Sequence, residues 1–192
     1  MEKVRLAAFS DGVIAIIITI MVLELKVPHG AGWRDLAGVL PVFLTYILSF
    51  VYIAIYWNNH HHLLQTVTKV DGLMLWANMH LLFWLSLVPF ATAWMGENHF
   101  ATLPTAVYGV ALFMPAIAYY LLQKAILRNQ GPNSTLAKAL GRDIKGKISP
   151  LLYLAAVFLA FVDPIISGAI YVFVALMWLI PDRRIERALS GD

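Results

Sequence analysis

Cysteine is absent from the 192 residues. That excludes a disulfide framework, thiolate chemistry and any cysteine-ligated metal. Charge is scarce as well: Asp, Glu, Lys and Arg make up 13% of the chain, about half the share of a soluble domain. Gly-rich or repetitive tracts are missing, and only Gln130–Ser134 reads as a flexible linker. What replaces these residues is hydrocarbon. The apolar share is 60% and the mean hydropathy +0.74, an excess that requires an apolar environment beyond the protein's own core. A bilayer provides it, because a spanning helix needs about 20 mostly apolar residues.

Hydropathy places spans at 6–27, 36–57, 72–94, 103–127, 148–162 and 164–180. The fold class is thus all-α, a polytopic membrane protein with six transmembrane helices forming a single domain over 1–192. The last two spans are short. Asp163-Pro164 between them reads as a tight turn, since proline cannot continue a helix through that point. A five-span arrangement with a re-entrant final pair is the alternative.

The basic residues orient these spans. Lys3, Arg5, Lys69, Lys124, Arg128, Lys138, Arg142, Lys145, Lys147, Arg183, Arg184 and Arg187 fall on one side, against Lys26 and Arg34 on the other. The positive-inside rule makes the crowded side cytoplasmic, so both termini lie in the cytoplasm of a cell whose inner membrane holds the chain. A pI near 9.2 then reports topology, and nucleic acid is not an expected partner. The amino-terminal apolar run lacks a small-x-small cleavage site and is read as the first span, not as a signal peptide. Trp33, Trp57, Trp94 and Trp178 sit near span ends, where aromatic belts form.

Polar residues at membrane depth must face a partner or water. The first span holds most of them: Arg5, Ser10, Asp11, Thr19 and Glu24. Candidate partners on other spans are His60, His61, His62, Asn78 and His80. Ile16, Thr19, Ile20 and Leu23 fall at i, i+3, i+4 and i+7, one helical face. Periodicity alone leaves two readings of that face, packing against neighbouring spans or lining a pore.

No enzyme emerges. Three consecutive His diverge around a helix and cannot converge on one ion, so neither a metal nor another cofactor is expected. Gly141-Arg-Asp-Ile-Lys-Gly-Lys147 resembles a phosphate-binding loop, but Ile148 stands where Ser or Thr is needed and no strand precedes it. There is also no Arg-rich voltage-sensing span and no Thr-Val-Gly-Tyr-Gly filter.

The run Arg5-Leu-Ala-Ala-Phe9-Ser10-Asp11 resembles the R-x-x-x-F-S-D signature of the endosomal/lysosomal potassium-channel family, in its single-repeat bacterial form. Ala15–Leu25 is similar to that family's first helix. Trp57-Asn-Asn-His60-His61, Asn78 with Leu81-Leu82-Phe83, and Pro89-Phe90-Ala-Thr92 are similar to its second and third spans. The resemblance implies a potassium-permeable cation channel, a homotetramer with the first helices around the ion path. Ile16, Thr19, Ile20 and Leu23 would then form rings. Ile16 would be the tightest of them, a hydrophobic constriction, and Thr19 would contribute to preference for the permeant potassium ion. Arg5, Phe9, Ser10, Asp11, His60, His61 and Asn78 would form a network fixing the pore helix. His62 departs from the family's usual residue and leaves open which His is engaged. A proton-linked secondary transporter or proton-conducting protein, using Asp11 and His60–His62 as a relay, is the alternative function; a scaffold without transport is a third.

Overall fold

The computed structural model describes residues 2–132, 134, 136–137 and 143–179, and every regular element among them is helical. The helices are α1 Lys3–Leu23, α2 Trp33–Gly38, α3 Leu40–Gln65, α4 Gly72–Ser86, α5 Val88–Glu97, α6 Thr102–Gln130, α7 Ile144–Leu159 and α8 Pro164–Leu179. Lys138, Arg142, Arg183, Arg184 and Arg187 of the charge argument lie outside the described residues. So do Gly141 of the loop-like run and Ile180, the end of the last span.

Among the described residues, four helical stretches are long and apolar enough to cross a membrane: Lys3–Leu23, Leu40–Gln65, Gly72–Glu97 and Thr102–Gln130. Their limits differ from the hydropathy spans for local reasons. α1 ends at Leu23 because the chain turns at Glu24 and meets Pro28. α3 continues past Trp57 to Gln65, since Asn and His can stay helical once an end reaches polar surroundings. The third stretch is two helices. Leu87 closes α4, its N–H bonding the Trp84 carbonyl at 3.3 Å, and Pro89 opens α5 at a first-turn position where its missing N–H costs nothing. The remaining pair, α7 and α8, has 16 residues each. Their turn forms as the sequence suggests: the Asp163 carboxylate accepts the Ile165 N–H at 2.9 Å, and Pro164 is the first helical residue.

Two cores share α3 and α6. The first gathers Leu6, Ile14, Ile17 and Met21 of α1 with Ile53, Leu63, Met74, Leu81, Leu85 and Leu122. The second sets Tyr52, Tyr108, Tyr153 and Tyr171 against Ala91, Met95, Ala156 and Val174. Between membrane helices burial removes little water, so close packing and interhelical hydrogen bonds carry the association. The second core shows both. A Cβ on Gly96 would meet the Val42 backbone at 2.7 Å, so α3 and α5 approach at contact distance. Ser49 and Tyr108 hydroxyls share a hydrogen bond of 2.9 Å, and Tyr171 donates to the Thr105 carbonyl at 3.1 Å.

Candidate functional site: the first helix and its polar backing

Alternate faces of α1 have opposite environments. Leu6, Ser10, Ile14, Ile17 and Met21 are buried. Arg5, Ala8, Phe9, Gly12, Ala15, Ile16, Thr19, Ile20 and Leu23 are exposed, and successive members lie mostly three or four residues apart. They form one stripe along the helix. Ile16 is 58% exposed and Leu23 79%, large values for aliphatic side chains. The four residues expected to line a pore thus share the outward face of their own subunit. The Thr19 hydroxyl donates to the Ile16 carbonyl at 2.9 Å. Its proton is committed, and its lone pairs are left to face outward.

Behind this stripe runs a buried hydrogen-bond chain. Ser10 Oγ donates to the Leu6 carbonyl at 2.9 Å. Having spent its proton, it accepts from Asn78 Nδ2 at 2.9 Å. Asn78 Oδ1 lies 2.7 Å from His60 Nε2, and an amide oxygen can only accept, so Nε2 carries the proton. The direction is therefore fixed from His60 through Asn78 and Ser10 to the backbone of α1. All three side chains are fully buried, and they join α3, α4 and α1. His60 Nδ1 is buried with no hydrogen-bond partner among the described residues.

A second set lies beside the first. Trp57 Nε1 donates to Asp11 Oδ1 at 3.0 Å. The indole stacks on His61, with ring centroids 5.9 Å apart, and His61 bonds Gln65 at 2.8 Å. Trp57, His60 and His61 occupy i, i+3 and i+4 of α3, so one helix face serves both sets. The structure thus joins Ser10, Asn78 and His60, and separately Asp11 with Trp57 and His61. His62 meets the His61 ring edge-on, with centroids 5.6 Å apart, but enters neither hydrogen-bonded set; its Nδ1 is buried and unpaired among the described residues. Arg5 and Phe9 belong to neither set within the subunit: both lie on the exposed stripe.

Trp57 is the residue that sequence reasoning placed in an interfacial belt and missed as a partner of Asp11. Its spacing one turn before His61 was the available signal. Among the described residues, no group of three His, Asp or Glu could hold a metal ion.

A family model described as the endosomal/lysosomal potassium channel TMEM175 matches residues 5–89, the segment containing both hydrogen-bonded sets. A potassium channel of Chryseobacterium sp. is 58% identical over the full length of both chains. The chain belongs to the TMEM175 family. The crystal structure of a TMEM175 homologue from Chamaesiphon minutus, described as a lysosomal potassium-selective channel, superposes with a TM-score of 0.84 at 29% identity. The match covers 94% of this chain and 98% of that one. A TMEM175 protein of Gallus gallus, named a proton channel, is 36% identical over 103 residues, or 47% of this chain and 21% of its own length. TMEM175 proteins are ion channels, not enzymes.

Proposed function

We propose that the chain is the subunit of a homotetrameric, potassium-permeable channel of a bacterial inner membrane, with six spans and both termini cytoplasmic. The α1 stripe carries this reading. On α3 and α8 most exposed apolar side chains are bulky, as with Phe43, Ile47 and Phe50 or Ile165, Phe173 and Leu176, and suit lipid tails. The α1 stripe instead alternates Ala8, Gly12, Ala15 and Thr19 with Phe9, Ile16, Ile20 and Leu23. Small residues let helices approach closely, and a Cβ on Gly12 would meet nothing within 4 Å in the subunit. Arg5 and Glu24 at its two ends disfavour lipid. Four such helices around an axis supply aliphatic rings at Ile16, Ile20 and Leu23 that gate by dewetting. The outward lone pairs of Thr19 can replace part of an ion's hydration there.

The count of six adds α7 and α8 to the four longer stretches. Sixteen residues rise about 24 Å, short of the roughly 30 Å hydrocarbon core. Local bilayer thinning and snorkelling of Lys145 and Lys147 make up the difference. The permeant potassium ion is the species this path would bind, and no cofactor enters this mechanism.

Proton conduction is the second reading, favoured by the name of the Gallus gallus relative. A relay through Asp11 and His60–His62 has less support, because Asp11 and His60 sit in separate hydrogen-bonded sets. Planar-bilayer recordings of the purified protein decide. A reversal potential that follows the potassium gradient is expected; one that follows only the pH gradient selects protons, and no current under any gradient overturns both. Ile16→Asn should hydrate the constriction and raise conductance several-fold, and unchanged conductance would remove Ile16 from that role.

A further inference from the structure

The C-terminal end of α1 carries a charge of the sign its own dipole disfavours. A helix leaves uncompensated carbonyls at that end, equivalent to about half a negative charge, and Lys or Arg in the last turn is the stabilising choice. α1 has no basic residue there. It has a carboxylate instead: Glu24 caps the helix at φ −75° and ψ −11°, still in the right-handed helical region. Like sign beside like sign weakens a helix end. A local rule broken without a local gain is a mark of functional positions.

The obvious counter-charge is committed elsewhere. Lys26 follows closely in sequence, but its ammonium forms an ion pair with Glu97 of α5. Among the described residues no ion pair holds Glu24. The side chain is exposed and stands one turn beyond Ile20. It shares a surface groove with Ile16, Ile20, Pro89 and Phe90, so it continues the α1 stripe where the helix ends. The connections on that side of the membrane lean the same way, with Glu24, Asp35, Glu97 and Asp163 against Lys26 and Arg34.

We propose that Glu24 gathers cations at the outer mouth: its carboxylates and the α1 carbonyl ends form a negative ring that concentrates potassium ahead of the aliphatic rings. This rests on the tetrameric channel proposed above. Acidic rings serve cation channels in general. Glu24 lies about 12 Å beyond Ile16 along the helix axis, so it steers ions without narrowing the path. The Debye length is about 30 Å at 0.01 M salt and about 3 Å at 1 M, so the field of the ring reaches Ile16 only in dilute salt. Single-channel recording of the reconstituted full-length protein over a range of potassium chloride concentrations tests this. Wild-type conductance should fall less than in proportion as salt is lowered. Glu24→Gln should cut conductance at least about twofold near 0.01 M and leave it unchanged near 1 M. Glu24→Asp keeps the charge and should match wild type at both. Asp35→Asn removes an outer carboxylate off the stripe, and its amide oxygen can still accept the Gly32 N–H; it should change neither. No loss in Glu24→Gln, a loss that persists near 1 M, a loss shared by Glu24→Asp or one matched by Asp35→Asn overturns the proposal. If Glu24→Gln fails to assemble, strict proportionality of wild-type conductance to salt overturns it instead. Ile16→Asn separates the two claims: raised conductance there with a neutral Glu24→Gln removes the ring and keeps the channel, whereas no wild-type current removes both.

Discussion

Replacing Asn78 by Leu is the sharpest perturbation of the polar backing, because the two side chains share the same heavy-atom branching and the change removes hydrogen bonds without leaving a cavity. His60 is 1% exposed, and its Nδ1 already lacks a partner among the described residues. Without Asn78 Oδ1 the imidazole is buried with neither nitrogen paired, a cost of about 1–3 kcal/mol. Ser10 keeps its bond to the Leu6 carbonyl and loses only the contribution from Asn78 Nδ2. Interhelical hydrogen bonds in membranes average about 0.6 kcal/mol. The sum is about 1.5–3.5 kcal/mol, measurable by reversible unfolding of the purified protein in mixed detergent micelles. His60→Leu added to Asn78→Leu removes the orphaned ring, so the double variant should be less destabilised than the two singles combined by at least about 0.5 kcal/mol. Ion preference, which the proposed function assigns to the opposite face of α1, should not change. A single-variant loss below about 0.5 kcal/mol, or a cycle that is additive, would refute the claim that this chain of bonds holds α1.

Gly109→Ala should destabilise by about 1–3 kcal/mol in the same assay, since the new methyl meets the Tyr171 hydroxyl and lies 2.8 Å from Val157 Cγ2. Trp57→Phe keeps a ring to stack on His61 and deletes the bond to Asp11, so a loss near 1 kcal/mol is expected; Asp11→Asn, whose amide oxygen still accepts, should lose less. Asp71 caps α4 by accepting the Met74 N–H at 2.8 Å and also accepts from Asn129 on α6 at 2.7 Å. These bonds hold its carboxyl below the usual carboxylate range. A depressed folded pKa means the contribution is complete above the unfolded value and is lost as pH falls through the folded one. Amide exchange at Met74 should therefore accelerate below about pH 4, and Asp71→Asn should flatten that dependence.

Much of the site was legible because intramembrane polar residues are rare and must find one another. Ser10, Asn78 and His60 stood among a larger set of intramembrane polar residues, and the structure joins these three. The i, i+3, i+4, i+7 spacing of Ile16, Thr19, Ile20 and Leu23 placed them on one face, which the structure leaves uncovered. Pairing was harder to read. Asp11 chose Trp57 over any histidine because an indole N–H needs only an acceptor at the right height, and aromatic residues at span ends also suit the interface. Helix ends were the other gap. Averaged hydropathy cannot register the break at Leu87, where composition is continuous and only Pro89 marks a new first turn, nor the six residues of α2, whose N-terminal amide at Gly32 bonds Asp35 at 3.0 Å.

The lopsided burial of α1 bears on how the protein is made. A newly inserted subunit can complete both of its cores while the stripe on α1 has nothing to close around. On the assembly proposed above, no ion path exists in that precursor, so synthesis and storage of single subunits leave the membrane tight. Leak then arises only when subunits meet. Conductance should then climb faster than linearly with subunit density in the bilayer and vanish on dilution by mass action, which makes expression level itself a control on permeability.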